Sequence, residues 1–178
     1  MKKSVKIILG ILGTLLGLFL IFIFIGAAAP KTYHGSATVR LSAPPERVWQ
    51  VLTDLEGLPK RRPEITKVEV TGINDQGYKM WREHTDMGGF IDFEIIEEVS
   101  QEKIVIRMNA ATFGMTSQWV YELKRFGVPG ALPGSEDETE LTITEDSTIN
   151  NLFIRALMTI VGRNSNIKQE FESLKKAL

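Results

Sequence analysis

The chain has 178 residues, 21 of them basic and 22 acidic, with a formal net charge of −1 and no cysteine. This balance excludes the general attraction to nucleic acid that a strongly basic chain would have. The lack of cysteine excludes disulfides, thiol catalysis, cysteine metal sites and a lipidated N-terminal cysteine.

Residues 7–29 carry no charge; Lys2, Lys3 and Lys6 precede them and Pro30 closes them. A helix of that length rises about 35 Å, enough for a hydrocarbon core of about 30 Å. Residues 1–30 are therefore expected to be a membrane anchor, followed by one water-soluble domain, residues 31–178. A cleaved signal peptide is the rival reading. Against it, the run exceeds the roughly 7–15 apolar residues of a signal core, and Pro30 directly follows Ala27-Ala28-Ala29. Gly13 and Gly17 form a G-x-x-x-G pair, which permits close helix approach but is also common in spanning helices. Three lysines lie before the run and only Lys31 and Arg40 follow closely. The positive-inside bias then puts the N-terminus in the cytoplasm and the domain on the extracytoplasmic side. Those three lysines leave residues 31–178 mildly acidic, so no nucleic-acid partner is expected. The one basic cluster, Lys60-Arg61-Arg62, reads as a solvated turn.

Residues 33–41 alternate, with Tyr33, Ala37, Val39 and Leu41 on one side, as in a half-buried strand. Pro44-Pro45-Glu46 is a helix start, and Val48, Trp49, Val51 and Leu52 give that helix an apolar face. Gly57, Pro59 and Pro63 mark a second short helical turn. Strands are expected over 68–71, 78–85, 90–99, 104–108, 117–123 and 141–144, with turns such as Met87-Gly88-Gly89 between them. Tight turns imply antiparallel pairing. Finally Phe153, Leu157, Ile160, Asn164, Ile167, Phe171, Leu174 and Leu178 recur at alternate spacings of four and three. That pattern predicts one amphipathic helix of about 28 residues, roughly 42 Å long, with Gly162 as a candidate bend.

The order of one strand, two short helices, six strands and a long C-terminal helix resembles the START-like helix-grip fold. This is the polyketide cyclase/dehydrase and lipid-transport superfamily (SRPBCC). The resemblance rests on residues 36–49, which run SATVRLSAPPERVW, on TDLEGLP at 53–59 and PEI at 63–65, and on WVYEL at 119–123 and TELTI at 139–143. It covers residues 33–178. It implies an α+β domain in which a curved antiparallel sheet of about seven strands wraps the long helix around an elongated cavity. Many members carry a tryptophan where Arg61 and Arg62 stand here, so that stretch is expected to face solvent. The resemblance also implies a binder of an apolar or amphipathic small molecule, such as a lipid, quinone or isoprenoid. The family includes enzymes and assembly factors too, so a cyclase- or dehydratase-type enzyme and an interaction module for a membrane partner stay open.

The residues themselves offer little catalytic chemistry. His84 and Asp86 could share a strand face and act as a general base, or form an exposed strand end. The two histidines show no ligand spacing, and no metal or cofactor is expected. Asp92, Glu94 and Glu98 alternate against Ile91, Phe93 and Ile95, which leaves the acids to solvent. Trp81, Met108, Trp119, Tyr121, Phe153, Leu157 and Ile160 are candidate cavity walls, with plain core packing as the alternative for each. Glu145 continues the parity of Leu141 and Ile143, and Asn164 interrupts the apolar stripe. Both are candidates to meet a ligand headgroup. The Gly- and Pro-rich segment 127–134 is a candidate gate or membrane contact, or simply a hairpin tip.

Overall fold

The computed structural model describes residues 2–112, 114–127 and 138–178, and side chains from Ser4 onward. A long helix α1 (Lys2–Ala28) opens the chain and passes within three residues into β1 (Thr32–Leu41). Two short helices follow, α2 (Pro45–Thr53) and α3 (Leu58–Arg61). Then come β2 (Ile65–Ile73), β3 (Lys79–Thr85), β4 (Phe90–Val99), β5 (Lys103–Ala111), β6 (Met115–Phe126) and β7 (Glu138–Ile149). The chain ends in α4 (Leu152–Val161) and α5 (Ser165–Ala177).

The seven strands form one antiparallel sheet in the order β1-β7-β6-β5-β4-β3-β2. Consecutive strands pair as hairpins, and only β1 is carried across to close on β7. Bulges in β2 and β4 interrupt the register, and such irregularities increase the local twist. On the inner face the rows line up across three strands. Leu123, Leu141 and Val39 form one row, Tyr121, Ile143 and Ala37 the next, and Trp119, Glu145 and Gly35 a third. Ile167, Phe171 and Leu174 of α5 pack against this face with Val48, Trp49 and Leu52 of α2 as the main core. The side-chain hydroxyl of the buried Thr139 donates to the carbonyl of Ala43 at 2.7 Å, tying the entry to α2 onto β7.

The expected 28-residue C-terminal helix is two helices. Gly162 takes φ of 100°, a left-handed conformation that ends α4, and its amide closes on Met158. The break divides the apolar stripe. Ile167, Phe171 and Leu174 lie in the core, whereas Phe153, Leu157 and Ile160 are exposed on α4.

The covered side of α4 meets α1. Gly26 is buried there, and a Cβ on it would collide with the carbonyl of Leu152 and press on Ala156. The ring of Phe153 sits 5.9 Å from Phe19 and 6.0 Å from Phe22. Arg155, itself buried, donates to the Ala29 carbonyl at 3.2 Å, and Arg163 donates to those of Pro30 at 2.9 Å and Thr32 at 3.2 Å. Cations at these free carbonyls complement the C-terminal end of α1. The G-x-x-x-G pair lies elsewhere, since a Cβ on Gly13 or Gly17 would meet nothing within 4 Å.

β1 enters the sheet where β7 ends, with Thr32 opposite Thr148. The ends that flank the β6–β7 connection, Phe126 and Glu138, are at the opposite edge, beside Leu41. The candidate gate at 127–134 therefore leaves the sheet about ten residues, roughly 30 Å, from the end of β1 that follows α1, and 128–134 lie outside the described residues.

Candidate functional site

Between the inner face of the sheet and the helices lies a cavity of about 240 Å³. Trp81, Phe93, Ile106, Met108, Trp119 and Tyr121 form its sheet wall. Leu52, Leu55 and Leu58 close it from α2, α3 and the turn between them, while Met158, Asn166, Gln169 and Glu170 reach it from α4 and α5. Strand alternation accounts for the sheet wall, because Trp119 and Tyr121 on β6 and Ile106 and Met108 on β5 are each two residues apart. Trp81 stacks on Phe93 at 5.3 Å and Trp119 on Tyr121 at 6.2 Å, which stiffens the wall.

One end of this apolar cavity is charged. Arg61 donates to Glu170 Oε1 at 2.8 Å and to Ser173 Oγ at 3.1 Å. Arg62 donates to Glu64 at 2.8 Å and lies 3.8 Å from Glu170 Oε2. Glu83 accepts from the Trp81 indole at 3.0 Å. Arg61 Nε and Glu83 Oε2 are buried with no hydrogen-bond partner among the described residues. Burial pushes the Glu83 carboxyl up, against the opposing pull of Arg62 and the Trp81 hydrogen bond. Burial, reinforced by the Glu170 carboxylate, pushes the Tyr121 phenol well up. Burial disfavours the Arg62 charge, but Glu170, Glu83 and Glu64 outweigh it and hold the guanidinium charged.

The expectation for Lys60-Arg61-Arg62 is corrected. The Arg61 side chain is 9% exposed and that of Arg62 26%, because α3 turns both inward onto Glu170 of α5. Glu83 was legible by parity with Trp81, two residues before it, and Glu170 by its place one turn after Ile167; single-residue chemistry drew attention to neither.

A second polar group lies beside the cavity. Glu145 is fully buried, accepting from Ser147 at 2.5 Å and from the cavity-lining Asn166 at 3.3 Å, with Oε2 unpartnered among the described residues. Burial raises its pKa, opposed by those two hydrogen bonds. Tyr33 folds over Gly35, where a Cβ would strike its hydroxyl, and donates to Asn164. Asn164 is thus exposed and committed to Tyr33 rather than facing the cavity.

The other sequence candidates lie apart. Trp81, Met108, Trp119 and Tyr121 are in the cavity wall, but Phe153, Leu157 and Ile160 are not, because the break at Gly162 carries them toward α1. His84 faces away from Trp81 and Glu83 and bonds Glu69 at 2.9 Å rather than Asp86, which is exposed beyond the strand end. Hydrogen bonds from Lys67 and His84 pull Glu69 down to about 2. Among the described residues, no group of three or more His, Asp or Glu is placed to hold a metal ion.

The sequence matches the family model described as polyketide cyclase / dehydrase and lipid transport over residues 33–178. The chain belongs to this family. Solved structures repeat the helix-grip architecture at low identity. A START superfamily protein from Mycobacterium smegmatis is 15% identical with a TM-score of 0.63, over 80% of this chain and 94% of its own. The Zhui aromatase/cyclase from Streptomyces sp. R1128 is 22% identical with a TM-score of 0.61, over 82% and 93%. Truncated norcoclaurine synthase from Thalictrum flavum is 13% identical with a TM-score of 0.59, over 82% and 92%. No curated protein matches the sequence. To the family domain this member adds α1, of which Ser4–Ala28 is long and apolar enough to cross a membrane.

Proposed function

We propose that this family member is a membrane-tethered module that binds a hydrophobic or amphipathic small molecule of lipid, quinone or isoprenoid type. The observation that carries the reading is the cavity itself. It has aromatic and aliphatic walls, and its lining includes the charged cluster of Arg61, Arg62, Glu83 and Glu170, in which Arg61 Nε and Glu83 Oε2 have no hydrogen-bond partner among the described residues. An apolar pocket with a few convergent polar groups is the usual form of a ligand site. At about 240 Å³ it lies below the roughly 300–1,000 Å³ of drug-sized pockets, which suits a ring or headgroup better than a whole two-chain lipid.

Protein purified in mild detergent should carry an apolar molecule, identified by native mass spectrometry with lipid extraction. Met108→Trp, which fills the cavity, should lose that molecule with little change in melting temperature. A parent protein that carries nothing, and whose Trp81 and Trp119 fluorescence ignores added quinones, isoprenoids and fatty acids, would refute the reading.

One observation favours a second reading, an enzyme that moves a proton in the cavity. Glu83 is a buried acid with a raised pKa and one oxygen unpartnered among the described residues, in the cavity that Tyr121 also lines, and such perturbed groups are enriched at catalytic sites. Glu83→Gln separates the two by the chemistry of the bound molecule rather than by affinity: a binder holds the same unaltered molecule in parent and variant, whereas an enzyme converts it in the parent and accumulates unconverted substrate in the variant.

A further inference from the structure

Leu152, Phe153, Leu157, Ile160 and Val161 of α4 are 37–61% exposed. No acid or lysine lies on this ten-residue helix, and its one arginine, Arg155, turns inward to the Ala29 carbonyl. A helix with so apolar an outer side does not face water by design.

The packing against α1 fixes where that side lies. Phe22 is seven residues before Ala29, and Phe19 ten. At 1.5 Å per residue they are about 10 and 15 Å inside the end of the apolar run. Both rings meet Phe153. Gly26 brings the backbones of α1 and α4 together at Leu152, so in this packing α4 shares the level of the last turns of α1. Any hydrocarbon layer that surrounds α1 up to Ala29 therefore surrounds Phe153 as well. Arg155 and Arg163 sit at Ala29, Pro30 and Thr32, the level of the headgroups, where arginine is tolerated.

We propose that α4 is a second membrane element, seated in the leaflet next to the domain, with lipid acyl chains against Leu157, Ile160 and Val161. The proposal rests on α1 being a membrane span, as in the functional reading above. The exposed side of α4 continues the apolar surface of α1, and its backbone meets α1 at Gly26, three residues or about 5 Å inside Ala29, the depth of an interfacial helix. Met158 on the same helix lines the cavity, so α4 stands between the hydrocarbon and the binding site. The domain is then held against the bilayer in one orientation rather than swinging on a tether.

The chain has no cysteine of its own, so single cysteines report cleanly. Full-length protein with cysteine at Leu157 or Ile160 is labelled with an environment-sensitive nitrobenzoxadiazole dye and reconstituted into phosphatidylcholine/phosphatidylglycerol vesicles. Leu16 in α1 and Asp75 in the β2–β3 turn serve as references. Nitroxides on the lipid acyl chains should quench the Leu157 and Ile160 labels as they quench Leu16, and several-fold more than Asp75. If Leu16 is quenched while Leu157 and Ile160 behave like Asp75, α4 is in water; the proposal fails and the anchor stands. Labels at 157 and 160 that are blue-shifted yet unquenched would show a second copy of the chain covering α4, and would overturn the lipid assignment. An unquenched Leu16 label removes the anchor and the proposal together.

Discussion

Glu145 shows how burial and charge trade against each other at a single side chain. Its row partners across the sheet are Trp119 and Gly35, so the carboxyl enters the protein interior rather than water. Two hydrogen bonds hold one oxygen, the other has no partner among the described residues, and burial leaves the pKa above the ordinary 4.5. Between 4.5 and the raised value the folded state holds a proton that the unfolded state has released, so folding weakens as pH climbs through that window. Below 4.5 the carboxyl is protonated in both states and the penalty vanishes. Glu145→Gln removes the titration while keeping the shape. The stability of the variant minus that of the parent should therefore grow with pH above 4.5 and level off once Glu145 is ionised in the parent. Urea titrations from pH 4 to 8 test this, and a difference flat across that range would mean that Glu145 is solvated and its pKa normal.

At the scale of elements, periodicity located nearly everything and mistook one connection. The strands at 33–41 and 90–99, the apolar face of α2 and the alternating walls of β5 and β6 were readable because a sheet buried on one side must alternate. The last strand was expected only over 141–144, yet it runs through Glu138–Ile149, because buried Thr139, Glu145 and Ser147 do not look apolar. The C-terminal stripe kept its four-three spacing straight through Gly162, so spacing alone could not show that its first half packs on α1. Arg61 and Arg62 looked like a solvated turn because their partner, Glu170, is over a hundred residues away. The junction between α1 and α4 yields a test with a built-in control. Gly26→Ala forces a methyl against the Leu152 backbone, and overpacking of this kind costs about 1–3 kcal/mol. Gly13→Ala meets nothing, and alanine is the better helix former. In detergent micelles Gly26→Ala should melt below the parent and Gly13→Ala at or above it. Equal melting of the two variants would show that α1 and α4 are not packed together.

At the scale of the whole molecule, α1 and the domain share a packed junction through α4 instead of a bare linker. If residues 1–29 were removed as a leader, Phe153 would lose Phe19 and Phe22, Ala156 would lose Gly26, and Arg155 would lose the Ala29 carbonyl. Each of those groups would be left exposed or unpaired, which is a physical reason to expect the segment to be retained. Its orientation follows from charge. Lys2, Lys3 and Lys6 precede the run, while Arg155 and Arg163 at the other end are tied to backbone carbonyls that emerge with the folded domain. Orientation is set mainly by basic residues close to the first span as it inserts, before the C-terminal arginines have been made. The N-terminus should therefore stay in the cytoplasm and residues 31–178 should cross. In a bacterial host, alkaline phosphatase fused after Leu178 should be active, and the fusion should migrate at the mass of the uncleaved chain. A fluorescent protein that matures only in the cytoplasm should be dark at the same position. Bright fluorescence with an inactive phosphatase would reverse the topology, placing the cavity on the cytoplasmic leaflet.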